Sequence, residues 1–264
     1  MLTRRGGKAC HKMRGPSDVP PACYNFLRII GFSGRDQLNV NAPQSIPQPE
    51  HDALSKLLVT AGIDVTADKV DLLDRYRRLL WSWNERLNLT RHTTLEKFVS
   101  RDVVDSYELS KLLGRNERVL DVGTGGGVPG VILAIVRPDL SVSLSESTQK
   151  KARALESIVG ELGLAAPVYA TRAEDVLDIN TFDTLVARGL ASLPKVLTWF
   201  TPHWEAFDQL LLIKGPKWVE ERNEARHQGL LRGLELRKAT TYQTPLTGAE
   251  SVILKIWRSD KHDA

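Results

Sequence analysis

The residues best suited to chemistry are a glycine-rich turn and the carboxylate beside it. Asp121 comes two residues before Gly123, and the stretch from Gly123 to Gly130 holds five glycines in eight residues. Glycine permits positive φ and lets a ligand approach the backbone without meeting a Cβ atom, and a helix that starts there presents unpaired N–H groups. We therefore interpret the segment as a turn that binds a nucleotide-like cofactor, in preference to a purely structural corner.

The identity of the cofactor follows from the charge beside the turn. Gly125, Gly127 and Gly130 match the dinucleotide fingerprint Gly-x-Gly-x-x-Gly, so an NAD-binding module is one alternative. Asp121 favours a different ligand, because a carboxylate at the end of the strand repels a pyrophosphate and complements an ammonium group. S-adenosylmethionine carries an ammonium and a sulfonium group, and it is the cofactor that we predict.

Polar residues also follow the other predicted strands. Ligands of a doubly wound sheet lie outside the carboxyl ends of its strands, so these residues should meet the cofactor or the substrate. We expect Glu146 to accept hydrogen bonds from ribose hydroxyls, while an acidic residue within 171–175 either accepts from the adenine amino group or caps a helix. Arg188 and Lys214 end the next two strands, which indicates a polyanionic substrate such as RNA.

The elements that must position these residues follow from hydrophobic periodicity. From Val119 onward short apolar strands alternate with helices, which is typical of a parallel, doubly wound α/β sheet. Seven strands are predicted, at 119–122, 142–146, 168–171, 184–187, 210–214, 236–242 and 252–257. Upstream, apolar residues at helical spacing predict one helix from Glu50 to Gly62 and a longer one after Thr66. In that longer helix we expect Trp81 and Trp83 to pack in the core rather than to stack on a base.

The chain divides into three predicted regions. Residues 1–49 are a disordered leader or the result of a mistaken start codon, residues 50–113 a helical N-terminal cap, and residues 114–264 the cofactor-binding domain. The leader has seven Lys and Arg residues against two Asp, so it contributes +5 to a net charge of +4 and the remainder carries −1. The basic pI therefore says little about the folded part, which would need a local patch to bind nucleic acid.

Composition also excludes several classes of protein. The two cysteines, Cys10 and Cys23, cannot form a disulfide framework or a four-ligand site, and we predict no metal. No apolar run approaches the roughly 20 residues needed to span a bilayer, and the basic N-terminus lacks the apolar centre of a secretory signal. We therefore predict a cytoplasmic protein that does not bind membranes.

Five short motifs follow one another along the chain: Trp83–Thr90, Asp121–Gly130, Arg172–Glu174, Ala187–Ala191 and Lys214–Gly215. Taken in this order, they resemble the bacterial 16S rRNA guanine-N7 methyltransferase family, also called glucose-inhibited division protein B. No single motif is unique, but their order and spacing over roughly residues 54–257 are specific. The resemblance implies a Rossmann-like class I fold with a helical N-terminal cap, and methyl transfer from S-adenosylmethionine to N7 of a guanine in 16S rRNA.

The resemblance also implies roles for individual residues. It implies that Gly123 and Val128 line the cofactor, and that Ala173 and Glu174 meet its adenine. Arg188 would lie beside the methionine part and the target base. With the residues inferred from the strand ends, the predicted cofactor ligands are Asp121, Gly123, Gly125, Val128, Glu146, Ala173, Glu174 and Arg188. The predicted RNA-facing cations are Arg172, Arg188 and Lys214.

Catalysis is expected to rest on positioning. Guanine N7 carries a free lone pair at neutral pH, so no general base is needed, and Arg188 is the best candidate for a catalytic residue. We expect Asn88 to cap or shape the rim of the site. The predicted partner is 16S rRNA or the 30S particle, bound by a monomer, while a protein or small-molecule substrate remains an alternative.

Two positions depart from the family pattern. The family has His before two apolar residues and Asp-Ser, whereas this chain has Asp102 there, followed by Asp105 and Ser106. The family also tends to carry Arg before the last strand, where this chain has Glu250. We expect RNA affinity to be redistributed, either to Arg258 or to the basic leader.

Overall fold

The computed structural model describes residues 48–245 and 248–261, which belong to one compact unit, Ile46–Ala264. Nearly all of the predicted leader, with Cys10 and Cys23, lies outside these residues. Its last two positions, Gln48 and Pro49, instead begin the first helix. Within the described ranges, no helix is both long and apolar enough to cross a membrane.

Helices form the N-terminal part of the described chain. They are α1 (Gln48–Thr60), α2 (Ala67–Asn84), α3 (Leu95–Lys97), a π-helical segment (Phe98–Val103) and α4 (Val104–Ser110). Leu73, Tyr76 and Leu80 of α2 are fully buried, as expected for an apolar stripe at helical spacing. Trp81 and Trp83 are half-buried against the same core, which agrees with the predicted packing role.

One seven-stranded sheet forms the centre of the fold. Its strands are β1 (Arg118–Val122), β2 (Ser141–Ser145), β3 (Val168–Tyr169), β4 (Phe182–Arg188), β5 (Phe207–Lys214), β6 (Leu234–Gln243) and β7 (Glu250–Arg258). Their order is β3-β2-β1-β4-β5-β7-β6, and β7 alone runs in the direction opposite to the other six strands. The predicted Rossmann-like class I methyltransferase fold, with a mostly parallel sheet of seven strands and a helical N-terminal region, is confirmed.

Helices cover both faces of the sheet, and the sheet lies between two apolar clusters. The connecting helices are α5 (Gly130–Val136), α6 (Gln149–Leu162), α7 (Ala173–Leu177), α8 (Leu193–Phe200) and α9 (Trp218–His227). One cluster joins α1, α2, α4, α5 and α6 to the sheet, and the other joins α7, α8 and α9. The strands between them, β1, β2, β4 and β5, are mostly apolar on both sides, and their charged residues lie within one residue of a strand end, although Ser143 and Thr184 are buried within β2 and β4.

Strand limits differ from the predicted ones by at most three residues, the largest difference being the start of β5 at Phe207 instead of Leu210. The prediction extended β3 to Thr171, which was wrong because β2, the only neighbour of β3, ends at Ser145, where Tyr169 is its partner. Glu146 lies immediately after β2 rather than within it, although its backbone N–H still donates to the Tyr169 carbonyl at 3.1 Å. Both shifts place polar side chains beyond the edge of the sheet.

Candidate active site

Asp121 anchors the glycine turn from below. Its side chain is fully buried, and Oδ2 accepts hydrogen bonds from Thr124 Oγ1 at 2.5 Å and from the backbone N–H of Gly130 at 2.7 Å. Burial raises the pKa of Asp121 to about 6, although these two hydrogen bonds act to lower it. Its other oxygen, Oδ1, has no hydrogen-bond partner among the described residues. The carboxylate therefore fixes the turn through Oδ2, while Oδ1 remains available as a hydrogen-bond acceptor.

Gly123 forms the exposed lip of the turn. Its φ of +64° lies in the left-handed region, where a side chain is strained. A Cβ atom built there would overlap Leu190 Cδ1. A ligand can therefore approach this part of the backbone only because Gly123 lacks a side chain. Val128, in contrast, is buried on the inner side of the same turn.

Glu146 joins the turn to the start of α6. Oε2 accepts from the backbone N–H of Gly125 at 3.1 Å, and Oε1 accepts from the N–H of Thr148 at 2.7 Å. Each carboxylate oxygen has a second lone pair, so these contacts leave acceptor capacity for a ligand hydroxyl. Gly125 and Glu146 are thus joined by a direct hydrogen bond, and their contact with a cofactor stays a prediction.

A cavity of about 240 Å³ opens beside Gly123. Four predicted residues line it: Gly123 from the turn, and Arg172, Ala173 and Glu174 from the start of α7, which begins at Ala173 at the same edge as the turn. Leu190 and Trp199 also line the cavity, and sequence reasoning missed both. Trp199 is 38% exposed and lies off the apolar stripe of α8, which is the signal that would have found it.

Arg188, at the end of β4, is bound by two buried carboxylates. Its Nη2 lies 2.8 Å from Asp102 Oδ1, and its Nη1 lies 3.4 Å from Asp105 Oδ2. Nη1 also donates to the backbone carbonyl of Arg101 at 3.0 Å. These carboxylates raise the pKa of Arg188 despite its burial, which acts to lower it. The guanidinium is thus fixed in position while 20% of the side chain stays exposed.

The position where the family carries His is central to this cluster. Asp102 is fully buried, and its Oδ1 also lies 2.7 Å from His92 Nδ1. Asp105 Oδ1 accepts from the Tyr242 hydroxyl at 2.7 Å, and burial raises the pKa of Asp105. Arg188 is therefore held in place by residues that lie far apart in the chain. Of these residues, His92 was missed by the sequence analysis.

A second cavity, of about 680 Å³, lies on the other side of the segment that follows β4. Arg188 and Gly189 line it, while the next residue, Leu190, lines the smaller cavity. Cationic residues predominate among the charged groups of its wall, which are Arg91, His92, Arg101, Asp105, Arg188 and Lys214. The two cavities therefore adjoin at Gly189 and Leu190.

The rim of the larger cavity is shaped by a turn after α2. Asn84 Oδ1 accepts from the backbone N–H groups of Leu89 at 2.8 Å and Thr90 at 2.9 Å. Asn88 itself is exposed and lines the cavity. The residue that caps the turn is thus Asn84, and Asn88 contributes to the rim.

Lys214 lies in the cavity wall with its ammonium group directed to protein partners. Nζ donates to the Ala191 carbonyl at 2.5 Å and to Glu221 Oε2 at 2.8 Å. The same Glu221 oxygen accepts from the backbone N–H of Leu193, the first residue of α8. Lys214 therefore links β5 to α8 and α9, and its contact with RNA stays a prediction.

The remaining predicted cations are separated from Arg188 and Lys214. Arg172 is exposed in the wall of the smaller cavity rather than the larger one. Because β7 is antiparallel to β5, Glu250 lies at the site edge of the sheet and Arg258 at the opposite edge. Arg258 is ion-paired with Glu205 and Asp260. Its position disfavours the expected redistribution of RNA affinity to Arg258, and the basic leader lies outside the described residues.

Within the part of the chain that the structure describes, no group of three or more His, Cys, Asp or Glu residues is arranged to hold a metal ion. The prediction that the protein binds no metal remains a prediction.

The chain is similar in sequence to known proteins of one family. The profile of the family described as "GidB: rRNA small subunit methyltransferase G" matches residues 69–248. A Rhodopirellula baltica protein named ribosomal RNA small subunit methyltransferase G is 54% identical over 170 residues, which cover 64% of this chain and 74% of that protein. A protein of the same name from Nitrosococcus oceani is 33% identical over 204 residues, covering 77% and 92% of the two chains. The region that the profile matches contains every residue lining the smaller cavity and all of those lining the larger cavity except Ser251.

Proposed function

We propose that the two cavities adjoining at Gly189 and Leu190 are the cofactor and guanine sites of this chain, which belongs to the rRNA small subunit methyltransferase G family. The activity of the family is methylation of guanine N7 in 16S rRNA with S-adenosylmethionine. The observation that carries the assignment of the sites is the convergence of the glycine turn and the Arg188 cluster on the same short segment after β4.

The smaller cavity fits the adenosine part of S-adenosylmethionine. Gly123 supplies a backbone that a ligand can touch, and Glu146 offers free lone pairs for the ribose hydroxyls. Ala173 and Glu174 lie at the far wall, where a backbone N–H and a carboxylate can meet the adenine edge. Trp199 adds an aromatic surface beside them.

The cationic end of the cofactor fits the acidic floor of the turn. Asp121 is too deeply buried for extensive contact, but its unpartnered Oδ1 gives this end of the cavity negative potential when the carboxylate is ionised. Gly125 and Val128 belong to the glycine turn that packs over the Asp121 carboxylate. When bound, S-adenosylmethionine supplies the electrophilic methyl group.

The protein's contribution to the reaction is positioning. Guanine N7 needs no deprotonation, and holding it in line with the methyl–sulfur bond can lower the barrier by roughly 7–11 kcal/mol. Arg188 is suited to orient the guanine, because Asp102 and Asp105 fix its guanidinium at the cavity wall. Methylation leaves a positive charge on the guanine ring, and the nearby carboxylates of Asp102 and Asp105 favour that charge.

The larger cavity fits an RNA substrate better than a small molecule or a neutral peptide. Arg91 and Arg101 line it without a carboxylate partner within 4.0 Å among the described residues. Such cations attract phosphate oxygens. The enzyme would act in the cytoplasm, where ribosomal subunits are assembled, and as a monomer, since both cavities are formed within one chain.

Mapping of 7-methylguanosine in 16S rRNA tests the assignment. The purified chain, S-adenosylmethionine and unmethylated 30S subunits or naked 16S rRNA should yield one methylated guanine. Arg188→Ala and Arg188→Lys should each lower kcat/KM at least 100-fold, because the single nitrogen of Lys cannot reproduce the separate contacts of Nη1 and Nη2 or the planar guanidinium. The exposed Arg115→Ala is the control and should leave activity unchanged. Wild-type rates for both Arg188 variants would contradict the role given to this residue.

A further inference from the structure

The exposed face of β6 and β7 carries a groove of about 690 Å³ that is separate from both site cavities. It is lined by Arg237 and Lys238 of β6, Lys255 and Trp257 of β7, and one carboxylate, Glu235. We call this feature the cationic groove. Its three cations face one acid, although residues 50–264 as a whole carry a net charge of −1.

Two of the cations are held against each other in the sheet. Arg237 and Lys255 are directly opposite in the antiparallel register of β6 and β7. Like charges in such a pair destabilise a sheet. Trp257 offsets part of the cost, since the Arg237 guanidinium and the Lys255 ammonium each lie 5.4 Å from its ring centroid. The arrangement therefore concentrates positive charge at a cost to folding, which is expected where an anion binds.

The cations of the groove are also available to a ligand. None of Arg237, Lys238 and Lys255 has a carboxylate oxygen within 4.0 Å among the described residues. Arg188 and Lys214 in the site differ, because each is ion-paired. Most of the positive charge that Arg188 and Lys214 bring to the site is thus neutralised, whereas that of the groove is not.

Protection of a sheet edge does not account for the groove. Charged residues on an edge strand block pairing with other chains, and β6 is an edge strand. This explains Arg237 and Lys238. It does not explain Lys255, because Lys255 lies on β7, and β7 is already paired with β5 on one side and with β6 on the other.

We propose that the cationic groove binds the phosphate backbone of the rRNA substrate beside its target guanine. The inference rests on the proposed function, which makes RNA the polyanion at hand. Ser251 lines the guanine-side cavity and Lys255 lies four residues later on β7, about 13 Å away along an extended strand. A stacked strand carries one phosphate per ~3.4 Å of its axis, so the groove lies about four phosphates from the target.

Charge reversal in the groove tests the proposal. The double variant Arg237→Glu/Lys255→Glu is compared with Lys56→Glu/Arg115→Glu, which makes the same change in net charge at exposed positions outside the groove. Direct binding to a 16S rRNA transcript is measured over a series of salt concentrations. The groove variant should bind at least tenfold more weakly at 0.15 M salt, with a salt slope smaller by about 2, since two phosphate contacts are lost. The control variant should match the wild type.

Further measurements distinguish a loss of RNA binding by the groove from a loss of cofactor binding, of catalysis or of folding. The groove variant should keep wild-type affinity for S-adenosylmethionine and show a raised KM for rRNA with little change in kcat. If it does not fold, Arg237→Gln/Lys255→Gln is used, with an expected loss of at least threefold in RNA affinity. Wild-type RNA affinity in the groove variant, or equal losses in both double variants, would overturn the proposal. The wild-type chain could fail to methylate rRNA while the groove variant still binds rRNA more weakly than the wild type. That result would refute only the proposed reaction and not the proposed role of the groove.

Discussion

Asp121 shows how one residue can serve a turn and a ligand site at once. Its Oδ2 fixes the two ends of the glycine turn through Thr124 and Gly130, while its Oδ1 has no partner among the described residues. Burying a carboxylate without full compensation disfavours its charged form. The folded state therefore bears an electrostatic cost at this residue that binding of a cationic ligand would reduce.

The pKa of Asp121 predicts a pH-dependent stability. An Asp in the unfolded chain ionises near 3.8, whereas burial raises the pKa of folded Asp121 to about 6. Between these values the folded state keeps a proton that the unfolded state has lost, so stability falls as the pH rises through this window and levels off above it. Relative to Asp121→Asn, the wild type should gain about 2 kcal/mol of unfolding free energy as the pH is lowered from 7.5 to 4.

Urea denaturation of both proteins at several pH values measures this effect. Other titrating groups contribute to both unfolding curves, so taking the difference removes most of their contribution. A difference that stays constant from pH 7.5 to 4 would show that Asp121 ionises normally in the folded protein.

The sequence predicted several of these residues but not how they are held. Gly123, Ala173, Glu174, Arg188 and Lys214 all reach the cavities, because strand ends can be read from hydrophobic runs. His92 and Tyr242 lie 10 and 137 positions from the carboxylates that they contact, and no local pattern indicates such pairs. The substitution of Asp102 for the His of the family was visible, but its pairing with Arg188 required the fold.

At the scale of elements, the glycine turn is the part that carries most of the site. It joins β1 to α5, and tight packing surrounds it: a Cβ atom at Gly126 would lie 2.8 Å from Leu80 Cδ1, and one at Gly130 would lie 2.7 Å from Asp121 Oδ2. Gly123 differs, because the Leu190 side chain that its Cβ atom would meet also lines the smaller cavity. Substitution at Gly123 should therefore affect ligand binding as well as packing.

A matched pair of glycine substitutions separates ligand contact from backbone strain. Gly123 and Gly163 have φ of +64° and +68°, so backbone strain from Ala at either position should lower stability by roughly 1–2 kcal/mol, with a further cost at Gly123 because Leu190 must move. Only Gly123 lies in the cofactor cavity, while Gly163 ends α6 with nothing near its Cβ position. Calorimetric titration should show at least tenfold weaker binding of S-adenosylmethionine by Gly123→Ala and unchanged binding by Gly163→Ala. Equal affinities would remove Gly123 from the cofactor site.

The elements themselves were predictable to different degrees. Strands β1, β4 and β5 are buried on both faces and read as continuous apolar runs, so their existence was clear from the sequence. The limits of β3 depend on its pairing with β2, which a single segment does not encode. The π-helical segment and α4 lie within the predicted helical cap, residues 50–113, but their limits were not predicted, because their buried Asp102 and Asp105 interrupt the apolar pattern.

At the scale of the whole molecule, the helical cap and the sheet share one core. Leu73 and Leu80 of α2 belong to the same apolar cluster as Val131 of α5 and Leu155 of α6. The cap also bonds to helix ends, since Lys69 Nζ donates to the Val136 carbonyl at 2.9 Å. The predicted boundary at residue 113 thus marks a change of secondary structure inside one packed unit.

This shared core predicts that cap and sheet unfold together and that the cofactor stabilises both. The buried Tyr76 hydroxyl donates to the Gly126 carbonyl at 2.9 Å, so α2 contacts the turn that holds the cofactor. Hydrogen exchange should give peptides from α2 and from β4 the same unfolding free energy. S-adenosylmethionine at 100 times its Kd should raise both by about 2.7 kcal/mol. Tyr76→Phe should lower both together by about 1 kcal/mol, because the Gly126 carbonyl loses its donor. A lower value for α2 alone, or protection by the cofactor confined to β4, would make the cap a separate folding unit.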